Sequence, residues 1–222
     1  MISYKNNFIF VHIPKCAGTS IEEYFTELEN NPDPHELFLP SMSPAPDSYK
    51  EHALVFEVVQ HYTLQSIKDI LYSHGKSEFY DNAYKFVVVR SPWERMASSA
   101  AYLKNTPWGD YIPDCNTVDE GIKKLCEVQH IDNHRFDINQ IDFLKVDGEI
   151  AVDYIIRFED LDKGFKEVLE KLKLPTDKKL GHAMKSNHKN YIEYYTEETK
   201  EMIREKYKED IEYFGYEFGD GK

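Results

Sequence analysis

The sequence predicts a three-layer α/β domain built on a mostly parallel central sheet with helices on its faces. Three observations carry this. Two short, almost unbroken apolar runs, Phe8 to Ile13 and Tyr84 to Val89, are each followed by a tight loop and a helical pattern, and a third run, Ala151 to Arg157, repeats the arrangement. Strands buried on both faces read as continuous apolar runs, and strands that alternate with helices are joined by right-handed parallel crossovers. At 222 residues, 41% of them hydrophobic, the chain fits one domain spanning 1–222.

After the first run and Pro14, helical spacing extends from Thr19 or Ser20 through Leu28. Ile21, Tyr24, Phe25 and Leu28 fall on one face, and Glu22 and Glu23 sit in the first turn, where negative charge favours the helix start. Asn30 to His52 is crowded with Pro, Ser, Asp and Asn and reads as a long loop, either a binding loop for an acceptor or a plain excursion. A helix follows Thr63, which caps it; Leu64, Ile67, Ile70 and Leu71 form its apolar stripe and Gly75 ends it. Behind Tyr84–Val89 come Arg90-Ser91-Pro92-Trp93 and a helix from Glu94 to Leu103.

From Lys104 to Gln140 periodicity is weak, apart from a helix from Val118 to Gln129. The third strand leads through Phe158-Glu159-Asp160-Leu161 into a helix from Lys163 to Leu172 that stops near Pro175. Glu197 to Tyr213 forms a charged amphipathic helix.

Composition narrows the function. Tyr and Phe number 16 and 13, a share that disordered chains do not carry. The formal net charge of −13 repels polyanions, which disfavours nucleic acid and highly sulfated polysaccharide as partners. The apolar run FIFVHI is too short for a signal-peptide core or a membrane span, which predicts a cytoplasmic protein without membrane insertion. Cys16, Cys115 and Cys126 form no CxxC pair and the nine His have no metal-ligand spacing, so neither disulfide framework nor metal is expected.

Two segments carry chemistry. His12-Ile13-Pro14-Lys15-Cys16-Ala17-Gly18-Thr19-Ser20 joins a strand end to a helix start through small residues, a Lys and two hydroxyls. Backbone N–H groups at a helix start point at an anion, Gly18 permits close approach, Thr19 and Ser20 add donors, and Lys15 adds charge. The plain alternative is a strand-to-helix turn capped by Ser20 or Thr19. The order GxxxxGK[ST] of an ordinary nucleoside-triphosphate loop is absent, because the Lys precedes the Gly.

This segment resembles the 5'-phosphosulfate loop, HIPKxxGTS, of the carbohydrate-type, family 2-like sulfotransferases. The resemblance implies a P-loop-like domain and a donor, 3'-phosphoadenosine 5'-phosphosulfate, whose 5' end is held by Lys15, Gly18, Thr19 and Ser20, with Cys16 and Ala17 at the loop's variable positions. Val87 to Ser99 resembles the family's 3'-phosphate motif: a strand, R-x-P-x-x-R, and a Ser eight positions after the first Arg. By that resemblance Arg90 and Ser98 grip the 3'-phosphate, for which a guanidinium fork and a hydroxyl are suited. Arg95 and Trp93 read as structural, and so does the pair Arg157 and Glu159.

The resemblance continues through Gln140-Ile141-Asp142-Phe143-Leu144, the strand YIIRFEDL and the final Tyr- and Glu-rich segment. It also implies that Lys185 and Ser186, in a Lys-rich stretch from Lys171 to Lys189, add cofactor contacts; a solvated patch is the alternative.

Sulfuryl transfer needs in-line geometry, charge stabilisation at the leaving oxygen and a base for the acceptor hydroxyl. Lys15 suits the leaving oxygen. His61 is the candidate base, since similar proteins place a catalytic His between the two motifs; His52 and Glu57 compete. The expected acceptor is a carbohydrate or other small molecule, and the product nucleotide is adenosine 3',5'-bisphosphate. A small-molecule kinase and a non-catalytic nucleotide-binding module are the competing readings.

Overall fold

The computed structural model of the chain describes residues 1–29, 61–104, 115–127, 138–181 and 190–220. In chain order the elements are β1 (Ile2–Ser3), β2 (Phe8–Val11), α1 (Gly18–Leu28), α2 (Leu64–Ser73), α3 (Ser77–Asn82), β3 (Tyr84–Val89), α4 (Pro92–Lys104), α5 (Val118–Glu127), α6 (Gln140–Phe143), β4 (Lys145–Val146), β5 (Glu149–Ile150), β6 (Tyr154–Arg157), α7 (Leu161–Lys171), α8 (Glu197–Lys206) and α9 (Lys208–Phe214). Short 3-10 turns cover Phe158–Asp160 and Tyr191–Tyr194. Two compact units form: Met1–Val89 with Asp142–Lys185, and Arg90–Ile141 with Ser186–Lys222.

The first unit holds a four-stranded sheet in the order β1-β2-β3-β6. β2, β3 and β6 run parallel, with Phe10 opposite Phe86 and Val88 opposite Ile156, and β1 lies antiparallel to β2. A sheet of mostly parallel strands flanked by helices is therefore present, as the alternation of apolar runs and helical patterns predicts. All of β2 is fully buried, which explains its unbroken apolar sequence.

On one face the rings of Phe8 and Phe86 meet Phe25 of α1 at 4.4 and 6.4 Å between centroids. Tyr24 and Phe25 in turn meet Phe165 of α7 at 5.0 and 5.8 Å. Two consecutive residues thus lie on the side of α1 that the apolar spacing marks as the core stripe. Gly164 sets how closely α7 approaches the sheet, because a Cβ there would lie 2.6 Å from Ile156 Cγ2.

The boundaries differ from expectation in instructive ways. β2 ends at Val11, so His12 and Ile13 belong to the loop; β6 begins only at Tyr154, and Asp153 before it joins Lys85 of β3 by accepting its N–H at the carboxylate and donating its own N–H to its carbonyl, both at 2.7 Å. The hairpin of β4 and β5 turns on Asp147 and Gly148, both at positive φ, as a two-residue turn of right-handed twist requires.

The second unit centres on α4, whose first turn carries Pro92 where a missing N–H costs nothing. Trp93 is buried, donates from Nε1 to the Lys200 carbonyl at 3.0 Å, and meets Phe218 edge-on. The expected helix from Glu197 to Tyr213 is two helices. Thr196 and Thr199 form a capping box at the start of α8, and the run breaks at Tyr207, whose ring is buried beneath the Arg95 guanidinium at 5.5 Å. Tyr207 stands outside helical backbone geometry, at φ −113° and ψ 34°.

Candidate functional site

The loop from His12 to Ser20 joins β2 to α1 inside the first unit. Lys15 and Ala17 both stand in the left-handed region, at φ 65° and 60°. For residues with a Cβ this costs about 1–2 kcal/mol each. Cys16, between them, is not left-handed. A buried Cys16, whose N–H donates to the Ile13 carbonyl at 3.3 Å, anchors the turn. Ala17 caps α1 without a side-chain bond, so the hydroxyls of Thr19 and Ser20 are not the caps of this helix. The first N–H groups of α1 have no acceptor within the helix, and the helix dipole adds positive potential there.

Gly18 has a specific steric reason. A Cβ on it would lie 1.9 Å from His12 Nε2, so the imidazole of His12 occupies the space that any other residue would need. The expected close approach of backbone to a ligand is thus, first, a close approach of backbone to His12. His12 is buried, and its Nδ1 lies 2.8 Å from Oε1 of the equally buried Glu22 on α1. A carboxylate only accepts, so Nδ1 carries the proton in that bond. Gly18→Ala is expected to destabilise the protein by about 1–3 kcal/mol by overpacking, and His12→Ala in the same chain should recover part of the loss; denaturant unfolding of both variants checks this.

His61, the candidate base, stands two residues before Thr63, whose side chain caps α2 by accepting the Ser66 N–H. Its ring meets His12 edge-on, 4.9 Å between centroids and 89° between planes. Lys15, Gly18, Thr19, Ser20, His12 and His61 therefore belong to one unit and one end of β2, with Lys15 and Ser20 half-buried and Thr19 exposed. His52, Glu57, Lys185, Ser186 and the segment from Asn30 to His52 lie outside the described residues.

Arg90 and Ser98 belong to the second unit. The Arg90 guanidinium donates from Nη2 to Glu94 Oε1 at 2.9 Å. Glu94 and Ser98 are four residues apart on α4, so this pair and the hydroxyl share a helix face. The Arg90 backbone is held by a residue to which sequence reasoning assigned no role. Gln140 accepts the Arg90 N–H at Oε1 and donates from Nε2 to the Arg90 carbonyl, both at 2.9 Å.

Gln140 is anchored in turn by Asp210 of α9. Oδ2 accepts the Gln140 N–H at 2.8 Å and Oδ1 accepts the Ile141 N–H at 2.8 Å. Burial pushes the Asp210 carboxyl above the usual carboxylate range, while those two N–H groups and the Arg95 charge pull it back. Arg95 is buried, over Tyr207 and near Asp210. Arg157 and Glu159 approach at 3.8 Å, a loose pair.

The model of the sulfotransferase family matches residues 1–106, a span that contains the loop, His61, Arg90 and Ser98, and over this span the chain is similar to the family 2-like sulfotransferases. Gln140 and Asp210 lie beyond the match. No curated protein and no solved structure matches the chain. Among the described residues no helix is long and apolar enough to cross a membrane, and no group of three or more His, Cys, Asp and Glu is arranged to hold a metal.

Proposed function

We propose that the chain transfers a sulfuryl group from 3'-phosphoadenosine 5'-phosphosulfate to an acceptor hydroxyl on a carbohydrate or other small molecule, on a P-loop-like strand-loop-helix scaffold. The observation that carries this is the pair of left-handed residues, Lys15 and Ala17, at the head of α1 with His61 in the same unit. The donor has an anionic group at each end of its ribose. Lys15, Thr19, Ser20 and the backbone from Cys16 to Gly18 suit the phosphosulfate, and Arg90 with Ser98 suits the 3'-phosphate.

In the reaction the acceptor oxygen forms a bond to sulfur as the bond from sulfur to the bridging phosphate oxygen breaks. The electron pair leaves with the phosphate of adenosine 3',5'-bisphosphate. His61 takes the acceptor proton, and Lys15 stabilises the charge that develops on the departing oxygen. The net charge of −13 supports an acceptor that is not itself a polyanion.

Titration of the purified chain with adenosine 3',5'-bisphosphate in the absence of Mg²⁺ is expected to give saturable heat. Incubation with labelled donor and a panel of neutral hydroxyl acceptors is expected to give labelled product under the same conditions. No heat rejects the donor; phosphate transfer from ATP that depends on Mg²⁺ would replace the reading with a kinase.

A further inference from the structure

We propose that Gln140 and Asp210 are positioning residues for nucleotide recognition, clamping the Arg90 peptide so that its guanidinium is held ready for a 3'-phosphate; this rests on the reading of Arg90 given above. The problem that Arg90 poses is mechanical. The β3 ladder ends at Val89 and α4 begins at Pro92, so Arg90 lies at a junction where strand pairing has stopped and helical bonding has not begun. A long side chain that leaves an unfixed peptide would bring its fork to the phosphate only after losing backbone freedom, a cost of about 1–2 kcal/mol per residue.

One amide removes that freedom. Gln140 bonds both the N–H and the C=O of Arg90, each at 2.9 Å, and a two-point contact fixes the rotation of the backbone as well as its position. Gln140 is itself fully buried and gains its orientation from Asp210, whose Oδ2 takes its N–H at 2.8 Å and its Nε2 at 3.2 Å. Ile141 supplies a third N–H to Oδ1. At the other end, the Glu94 carboxylate holds the fork of Arg90 at Nη2. Backbone and side chain of one arginine are thus fixed separately, which is preorganisation of a bidentate donor.

A fold brace alone does not call for this chemistry. A fully buried carboxylate is costly, and well-packed apolar residues of the same volume commonly stabilise a protein as well or better. What the polar chain adds is direction: its bonds run from Asp210 through Gln140 and end on the two peptide groups of Arg90.

Calorimetry of the full chain with adenosine 3',5'-bisphosphate and with adenosine 5'-phosphate tests this, because the ratio of the two affinities reports the 3'-phosphate alone. In Gln140→Leu, which keeps most of the volume and deletes the amide, bisphosphate affinity is expected to fall about tenfold while monophosphate affinity stays unchanged. Asp210→Asn leaves the Gln140 amide in place but sets a donor against its N–H, and should lower the same ratio by about threefold; this variant decides the matter should Gln140→Leu fail to fold. An unchanged ratio in a folded variant overturns the proposal, as does an equal loss for both nucleotides. A wild-type chain that binds the two nucleotides alike instead rejects the assignment of Arg90 to the 3'-phosphate, and the proposal with it.

Discussion

His61→Ala is expected to lower sulfuryl transfer by about 10²–10⁴-fold and to leave the affinity for adenosine 3',5'-bisphosphate unchanged. The asymmetry follows from where the charges lie. The proposed nucleotide contacts come from Lys15, the head of α1, Arg90 and Ser98, whereas the role proposed for His61 is on the acceptor. The acceptor proton, by contrast, needs a base within reach of the loop, and the edge-on contact with His12 brings the His61 ring to the end of β2. Single-turnover assays with labelled donor, with and without added imidazole, check the result. A base that has been deleted is open to partial rescue by free imidazole, whereas a lost packing contact is not. Near-full turnover in His61→Ala would move the role to one of the competing candidates, His52 or Glu57.

The scaffold of this site is legible in the sequence because it rests on periodicity. β3 is found where the apolar run from Tyr84 to Val89 places it, and Thr63 caps α2 as its position before a 3.6-residue stripe predicts. The two-residue hairpin at Asp147 and Gly148 was also open to reading, since Asp-Gly between β-prone residues is a strong turn signal. Other features leave no such trace. Lys15 and Ala17 take left-handed backbone that residue type alone would assign to glycine, and Gly18, the residue with that freedom, is needed for the absent side chain.

The buried polar pairs are the deeper omission. Asp210 reads as one more acid on a charged helix, yet it is fully buried, and its partners Gln140 and Ile141 are 70 and 69 residues away in sequence. Glu22 reads as a first-turn acid that favours a helix start, yet its carboxylate is spent on His12, a residue quoted in the loop motif without a role. Lys85 sits inside an apolar strand and is buried with its ammonium on the Ala83 carbonyl and over the Tyr80 ring, so burial lowers its pKa. A hydrophobic pattern fixes which face of an element is buried, but it does not say which polar group on that face will find a partner.

Lys15→Gly separates the chemistry of the loop from its stability. Lys15 holds a left-handed conformation at φ 65° that a glycine adopts freely, so the substitution relieves about 1–2 kcal/mol of backbone cost and returns roughly 0.5–1 kcal/mol through the greater freedom of the unfolded chain. Stability should therefore stay level or rise by up to about 1 kcal/mol. Transfer should fall by about 10²–10³-fold, because the charge proposed to stabilise the departing phosphate oxygen is gone. Lys15→Ala keeps the strain and loses the charge, and should show the same loss of transfer with no gain in stability. Lys15→Arg keeps the charge but replaces a point donor by a planar fork on a longer stem, and should recover transfer only in part. Denaturant midpoints set beside single-turnover rates give the comparison. A glycine variant that is both destabilised and active would mean that Lys15 serves the turn and not the sulfuryl group, whereas a stable, inactive one places the strain of the loop in the service of the charge it presents.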